Sequence, residues 1–493
     1  MSRVIDALRL HAANTPFQIA IEDTHVALSY RNLLGQVERV ANQLREASPR
    51  VLAILADNGS SWAIADLAAH RLGIPVIPLP LFFSPAQITH LIRTAGIDQV
   101  LTDQPDRLFA ALQEKPLSAE PFTGTLQLVR LPVNAGTPLP AGTQKVTFTS
   151  GTTGEPKGVC LGREDMETVA ESLRVASAAN RYDRHLCLLP LATLLENIGG
   201  IYTPLLAGAT ICLPGLADVG LSGSSALDVA RMIAAMIRWK ASSVIMVPQM
   251  LQAVVAADQA GAPMPDTLRY LAVGGAPVSS HVLQEARTLG LPVYEGYGLS
   301  ECASVVAVNR PDERRDGSVG KPLPHLRLSF ADDGEIRIHD VHWRGYLGEA
   351  PLTSDDDFIA TGDLGHLDDD GFLHLTGRKK NIFITSFGRN VAPEWVESEL
   401  VSRFPILQAA VFGEARPYNS AVIFPHPKAT PEAVAASVAE VNQRLPDYAR
   451  IRHWIRAREP FTPGNGLSTP NGRLRRPTIF TQYVEQINAL YQH

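Results

Sequence analysis

From Ser29 the stretch SYRNLLGQVERVANQLRE places apolar residues at Leu33, Leu34, Val37, Val40, Ala41 and Leu44. That spacing predicts an amphipathic helix, with Ser29 as its N-cap. The apolar run VLAILA follows, then a helix beginning near Ser60, then IPVIPLP, a helix from Ser84, and QVLTD. Short continuous apolar strands alternating with helices predict a parallel or mixed sheet covered on both faces. The same alternation returns over 185–213 and 226–275. Between about 317 and 376 the pattern turns β-like, with LRLSF and EIRIHD around the turn ADDG. After TGRKK the α/β pattern restarts: NIFITS as a strand, PEWVESELVSRF as a helix opened by Pro393, LQAAVFG and SAVIFP as strands, a helix over 431–444, then RHWIRA. The class is α/β. A boundary near Lys379 divides a large N-terminal domain, 1–378, with a β-rich subdomain, from a small C-terminal α/β domain, 379–493.

Composition narrows the function classes. The chain has 493 residues, 45% hydrophobic and 19% charged, with formal net charge −6. Two or three domains are expected at that length. Mild acidity argues against a nucleic-acid partner, which needs a clustered cationic face. Cys160, Cys187, Cys212 and Cys302 are widely spaced and form no C-x-x-C pair. Buried, reduced thiols are expected rather than a disulfide framework or zinc. In MSRVIDALRLHAANTP, an amphipathic helix, Asp6, Arg9 and His11 interrupt any signal-like apolar core. With no stretch long enough for a membrane span, the expected location is cytoplasmic. No oligomeric state follows from the sequence.

The strongest local signal is VTFTSGTTGEPKGV, 146–159. A β-like segment runs into glycines, hydroxyls and Lys157. Glycines let the backbone approach a ligand, hydroxyls and freed N–H groups donate to phosphate oxygens, and a lysine supplies a mobile charge. The Walker A spacing is absent, since Gly158 follows the lysine. No G-x-G-x-x-G follows a strand, and GLSEC at 298–302 lacks the second glycine of a nucleophile elbow.

TSGTTGEPKGV resembles the phosphate loop of the adenylate-forming enzymes, which include acyl-CoA synthetases, aryl-CoA ligases, luciferases and the adenylation domains of peptide synthetases. The resemblance continues in order through LPLA (189–192), GGAPVS (274–279), YEGYGLSE (294–301), TGDLG (361–365) and GRKKNIFITSFGRNVAPEWVE (377–397). The last block is most similar to the long-chain acyl-CoA synthetase branch. The resemblance implies stacked αβ sheets in the large domain and a mobile small domain. It also implies attack of a carboxylate on the α-phosphorus of ATP, giving acyl-adenylate and pyrophosphate. That nucleophile is already ionised, so positioning and charge stabilisation carry the step rather than a strong base.

By the same resemblance Thr149, Ser150, Gly151, Thr152, Thr153, Gly154 and Lys157 hold the triphosphate. Gly275, Ala276 and Pro277 line the adenine with Tyr297 and the Gly298 turn, and Ser300 donates to the α-phosphate. Glu301 is the Mg2+ ligand, Asp363 accepts the ribose hydroxyls, and Arg378 donates to the ribose. Rotation about Lys379 would bring SFGRN, with Gly388, to a thiol tunnel. There Phe387 and Arg389 depart from the usual pattern, which leaves open whether CoA or the phosphopantetheine of an acyl carrier protein is the acceptor. The small-molecule carboxylic acid, fatty or aromatic, is expected against Thr193, Leu194, Glu196, Val247, Gly274 and Gly296. Thr193, Glu196 and Asn197 either recognise a polar substituent or satisfy neighbouring backbone.

In STPNGRLRR, 468–476, Arg473 stands where relatives carry a lysine that bridges the substrate carboxylate and the α-phosphate. A guanidinium keeps the charge but is wider and planar. Arg473 either performs this clamp, impairs adenylation, or belongs to a structural turn; Arg475 and Arg476 are expected to be solvated. A nucleotide-binding relative without catalysis is the competing reading.

Overall fold

The computed structural model describes residues 2–112, 116–132, 135–149, 157–223, 226–349, 358–469 and 472–492. Local signals set the first elements. Ser2 caps the helix Arg3–Asn14 and Ser29 caps Tyr30–Ala47, each by accepting an N–H three residues on. Ser84 opens Pro85–Ala95 with a capping box completed by Gln87.

Two sheets form the large domain. One has seven strands in the order 118–123, 126–130, 99–102, 52–55, 76–78, 145–149, 157–161. Its central strands are parallel, and Lys145–Thr149 pairs antiparallel with Lys157–Leu161. The other has nine strands, with parallel neighbours 243–246, 270–273 and 293–297 at its centre. Helices Tyr30–Ala47, Ser60–Leu72 and Arg163–Ala176 fill the space between the sheets. Outer helices cover the remaining faces: 229–238, 248–259 and 280–288 on the nine-stranded sheet, 85–95 and 105–111 on the seven-stranded one. The result is five alternating layers. Ser60–Leu72 is buried nearly all round, which accounts for its run of small alanines.

Strands 327–330, 335–339, 358–367 and 373–378 form an antiparallel four-stranded sheet, the β-rich region expected from the alternation. The C-terminal domain has a three-stranded sheet, 406–412, 419–425 and 451–456, covered by helices Pro393–Val401, Pro431–Arg444 and Arg476–Ala489. NIFITS contributes less than expected. Phe383–Ile384 pairs with Asn390–Val391 in a short ribbon, because the chain turns back at once through the Thr385–Arg389 hairpin. All four cysteines are buried and free. Among the described residues, no helix is long and apolar enough to cross a membrane.

The two domains meet through specific polar contacts. Glu399, 5% exposed, accepts from Ser279 Oγ at 3.1 Å and from the Ser280 N–H and Oγ at 3.2 Å. Gln252 Nε2 donates to the Val401 carbonyl at 2.6 Å.

Candidate active site

The expected nucleotide residues gather at the carboxyl ends of the parallel strands, where open α/β sheets place ligands. Strand Tyr270–Val273 ends at Gly274, and Gly275, Ala276 and Pro277 follow as an exposed loop. Strand Val293–Tyr297 leads into a tight turn and the short 3₁₀ segment Ser300–Cys302. Gly298 is required in that turn, since a Cβ there would lie 1.8 Å from the Ser304 carbonyl oxygen. The turn carries Ser300 and Glu301.

One polar chain is already assembled. Tyr297 Oη donates to Asp363 Oδ2 at 2.7 Å, and Arg378 Nε donates to Asp363 Oδ1 at 2.6 Å. Asp363 and Arg378 are cross-strand partners, so sheet register fixes that pair. Burial pushes the Tyr297 phenol well above its ordinary range, and the Asp363 charge adds to this. Tyr297 therefore stays a neutral donor. Burial also pushes the neighbouring Glu295 carboxyl up to about 8, against the opposing pull of Arg287.

The expected phosphate end is framed by the strand pair on either side of the glycine-rich segment, with Thr149 opposite Lys157. Ser150, Gly151, Thr152, Thr153 and Gly154 lie outside the described residues, as does the Thr149 side chain. Lys157 Nζ pairs with Glu349 at 2.8 Å and sits 4.8 Å from the Tyr346 ring centroid. Tyr346 Oη donates to Glu301 Oε1 at 2.5 Å. Glu301 therefore has one oriented carboxylate oxygen and a hard donor suited to Mg2+. The reading of the sequence missed Tyr346 and Glu349. They arrive by tertiary pairing, as Arg344 donates its N–H to the Cys160 carbonyl and Leu347 donates to that of Gly158. A segment without strand periodicity gave no local signal.

Arg473 reaches this centre from the C-terminal domain. Gly472, with φ +76°, turns the chain, and Thr469 and Arg473 close the loop by a backbone bond of 2.8 Å. Arg473 is exposed to solvent. Burial and the Arg378 charge lower its pKa, while Asp363, Glu301 and Glu394 act in the opposite direction. The guanidinium is thus in electrostatic range of the ribose-end carboxylate and the metal-type glutamate.

A family model described as AMP-binding enzyme matches residues 8–347, and one described as AMP-binding enzyme C-terminal domain matches 380–493. The chain belongs to the AMP-binding enzyme family. It is 35% identical over 246 residues to the long-chain-fatty-acid–CoA ligase FadD15 of Mycobacterium bovis, covering 44% of this chain and 41% of that protein. The match thus spans less than half of that relative's length. Against long-chain-fatty-acid–CoA ligase 6 of Rattus norvegicus it is 25% identical, covering 95% of this chain and 83% of the relative. Among solved structures, the anthranilate CoA ligase AuaEII in complex with anthranoyl-AMP superposes with TM-score 0.80 at 19% identity, covering 97% of this chain and 96% of that one. The Bacillus subtilis O-succinylbenzoate coenzyme A synthetase MenE, in complex with ATP and magnesium ion, gives 0.75 at 23% identity, covering 96% and 98%. These likenesses show the adenylate-forming fold.

Within this AMP-binding fold, the expected acid-pocket residues separate into two groups. Thr193 and Val247 are half-buried, and Gly274 and Gly296 pack closely enough that a Cβ on Gly274 would meet the Gly296 carbonyl oxygen at 2.9 Å. Leu194 is 6% exposed. Glu196 departs from the expected pocket wall. It is fully buried, with its carboxylate turned inward to His185 Nε2 at 3.1 Å and the Leu189 N–H at 3.1 Å. Asn197 is likewise committed to the core, donating to Asp66 Oδ2 at 3.1 Å beside Lys145 and Tyr202. Both side chains satisfy polar groups of the core.

The segment expected to act as the hinge is fastened to the large domain. Lys379 pairs with Asp333 at 2.5 Å and Glu335 at 3.0 Å, and its N–H donates to the Gly362 carbonyl. Gly388, with φ +73°, lies in the exposed hairpin, which bonds to Arg416 within the C-terminal domain. Arg473, by contrast, is in electrostatic range of Asp363 and Glu301. Arg476 departs from the expected solvated charge. It binds Glu397 through two nitrogens and Glu394 at 2.7 Å, with 17% of its side chain exposed. It begins helix Arg476–Ala489 and joins it to Pro393–Val401.

Proposed function

We propose that this protein activates a carboxylic acid with ATP and Mg2+, forming acyl-adenylate and pyrophosphate, then transfers the acyl group to a pantetheine thiol of CoA or an acyl carrier protein. The observation that carries the reading is the hydrogen-bonded chain Tyr297–Asp363–Arg378 beside the Tyr346-oriented Glu301, with Arg473 in electrostatic range of both carboxylates. A guanidinium there neutralises the incoming carboxylate and the α-phosphate together, which lowers the cost of bringing two anions into contact. Ser300 donates to the same phosphate, Lys157 exchanges Glu349 for the distal phosphates, and Asp363 receives the ribose hydroxyls. Glu301 would hold Mg2+, which supplies charge neutralisation on the phosphates when bound.

The acid is proposed to be fatty or aromatic, in keeping with the apolar surroundings of Val247 and with the names of the similar ligases. For the second step the small domain turns about Lys379, giving up the Glu399–Ser279/Ser280 contacts and withdrawing Arg473. Gly388 then approaches the thiol path.

The test is acid-dependent exchange of pyrophosphate into ATP across a carboxylate panel, with hydroxamate trapping, repeated with CoA and with holo-carrier proteins. Exchange with a subset of fatty or aromatic acids is expected, and the acceptor that yields thioester decides between CoA and carrier. ATP binding without exchange or hydroxamate for any acid would support the non-catalytic reading.

A further inference from the structure

His185, Cys187 and Glu196 converge behind the Leu188–Leu195 segment, 5%, 0% and 0% exposed. One ligand atom from each lies within 4.8 Å of the other two. The surroundings orient each group. Ser243 Oγ is 3.0 Å from His185 Nδ1, and the Leu189 N–H holds Glu196 Oε2, so Nε2 and Oε1 face each other at 3.1 Å. Cys187 Sγ is 3.7 Å from the Gly200 carbonyl oxygen. Gly200 itself keeps the space open: a Cβ there would lie 2.5 Å from Glu196 Oε1, 2.8 Å from Cys187 Sγ and 3.1 Å from His185 Nε2. It belongs to the π-helical turn Ile198–Tyr202, a distortion that often accompanies functional sites.

We propose that His185, Cys187 and Glu196 bind a zinc-type divalent ion, with the Gly200 carbonyl supplying a fourth oxygen. Nitrogen, sulfur and carboxylate together are a zinc ligand set, whereas magnesium takes oxygen alone. Tetrahedral zinc with bonds of about 2.0–2.3 Å needs donors roughly 3.3–3.8 Å apart, so closure requires side-chain shifts of about 1 Å. Binding releases the Cys187 thiol proton to solvent. The resulting thiolate and carboxylate balance the dication, and the buried assembly is neutral. Cys187 and Glu196 flank the segment bearing Thr193, so the ion fastens both ends of that segment to the strand carrying His185. This site does not depend on the enzymatic reading.

The imidazole tautomer distinguishes the two states. With zinc on Nε2, Nδ1–H donates to Ser243. Without it, Nε2–H donates to Glu196 and Nδ1 accepts from Ser243. The experiment measures metal content of untagged full-length protein from zinc-supplemented cells, together with Co2+ uptake after chelator dialysis. About one equivalent of zinc per chain and a thiolate-to-cobalt absorption band are expected, with a higher Tm in Zn2+ than in chelator. Cys187→Ser should abolish the band and Gly200→Ala should empty the site, while Cys160→Ser retains both. Because these variants can misfold, the wild type carries the decision. Folded wild-type protein that takes up neither Zn2+ nor Co2+, with the Nε2–H tautomer in its NMR spectrum, would overturn the proposal. So would zinc retained in full by both Cys187→Ser and Gly200→Ala.

Discussion

The proposed ribose end and the proposed reactive end of the candidate site are built on different principles. At the ribose end Tyr297, Asp363 and Arg378 are joined by direct hydrogen bonds, and sheet register holds the last two opposite each other. At the reactive end Arg473 arrives on a loop of another domain and is coupled to Glu301 and Asp363 through charge. On the proposed reading, such a site keeps its nucleotide cradle preorganised while the cation proposed to drive the chemistry can be withdrawn. The difference teaches that binding and reaction depend on separable structures, so their mutations should separate too.

The largest effect should come from Arg473→Ala. Removing the cation should lower acid-dependent pyrophosphate exchange about 10²–10³-fold, the usual scale for a lost charge-stabilising donor. Thioester formation from preformed acyl-adenylate should be spared, and equal loss in both half-reactions would break the distinction. Arg473→Lys sharpens it, because a compact ammonium restores the charge without the fork.

Asp363→Asn addresses the preorganised end. Loss of charged hydrogen bonds of about 1.5–3 kcal/mol should raise the KM for ATP roughly 10–100-fold while kcat changes less. A fall confined to kcat would move Asp363 into the chemical step.

Glu399→Gln weakens the docked position of the small domain. A shift of about 1 kcal/mol predicts roughly fivefold slower adenylation, with a matching change in interdomain fluorescence transfer. Unchanged transfer efficiency would show that the Glu399 contacts do not set the orientation.

The smallest effect is a pH dependence. Glu295 has its folded pKa raised by burial to about 8. Stability from keeping it protonated is present below the unfolded value and declines as pH rises toward 8, levelling off above. Glu295→Gln should therefore flatten the fall in denaturation midpoint between about pH 5 and 8. Parallel profiles for the two proteins would exclude Glu295 as the titrating group.

Much of the fold was legible because local physics and tertiary structure agree. Ser29 caps the helix it was expected to cap, the helix expected from Ser84 is Pro85–Ala95, and the predicted helix over 431–444 is Pro431–Arg444. The Asp363–Arg378 pairing gives physical form to two residues singled out separately in the sequence. What escaped notice depends on contacts remote in sequence. Tyr346 meets Glu301 only because its segment lies beside Lys157–Leu161. Glu196 follows Thr193 by three residues, yet the turn directs its carboxylate into the core. Arg476 looked like surface charge because its carboxylate partners lie some eighty residues earlier.

Ser279 and Ser280, which anchor Glu399, are separated by Val278 alone from the Gly275–Pro277 loop expected to line the adenine. Any nucleotide that displaces this loop by even a fraction of its docking energy changes the affinity between the domains. By reciprocity, the docked domain changes nucleotide affinity by the same factor. If that loop binds adenine as proposed, one buried glutamate would make domain orientation a thermodynamic reporter of what the loop holds.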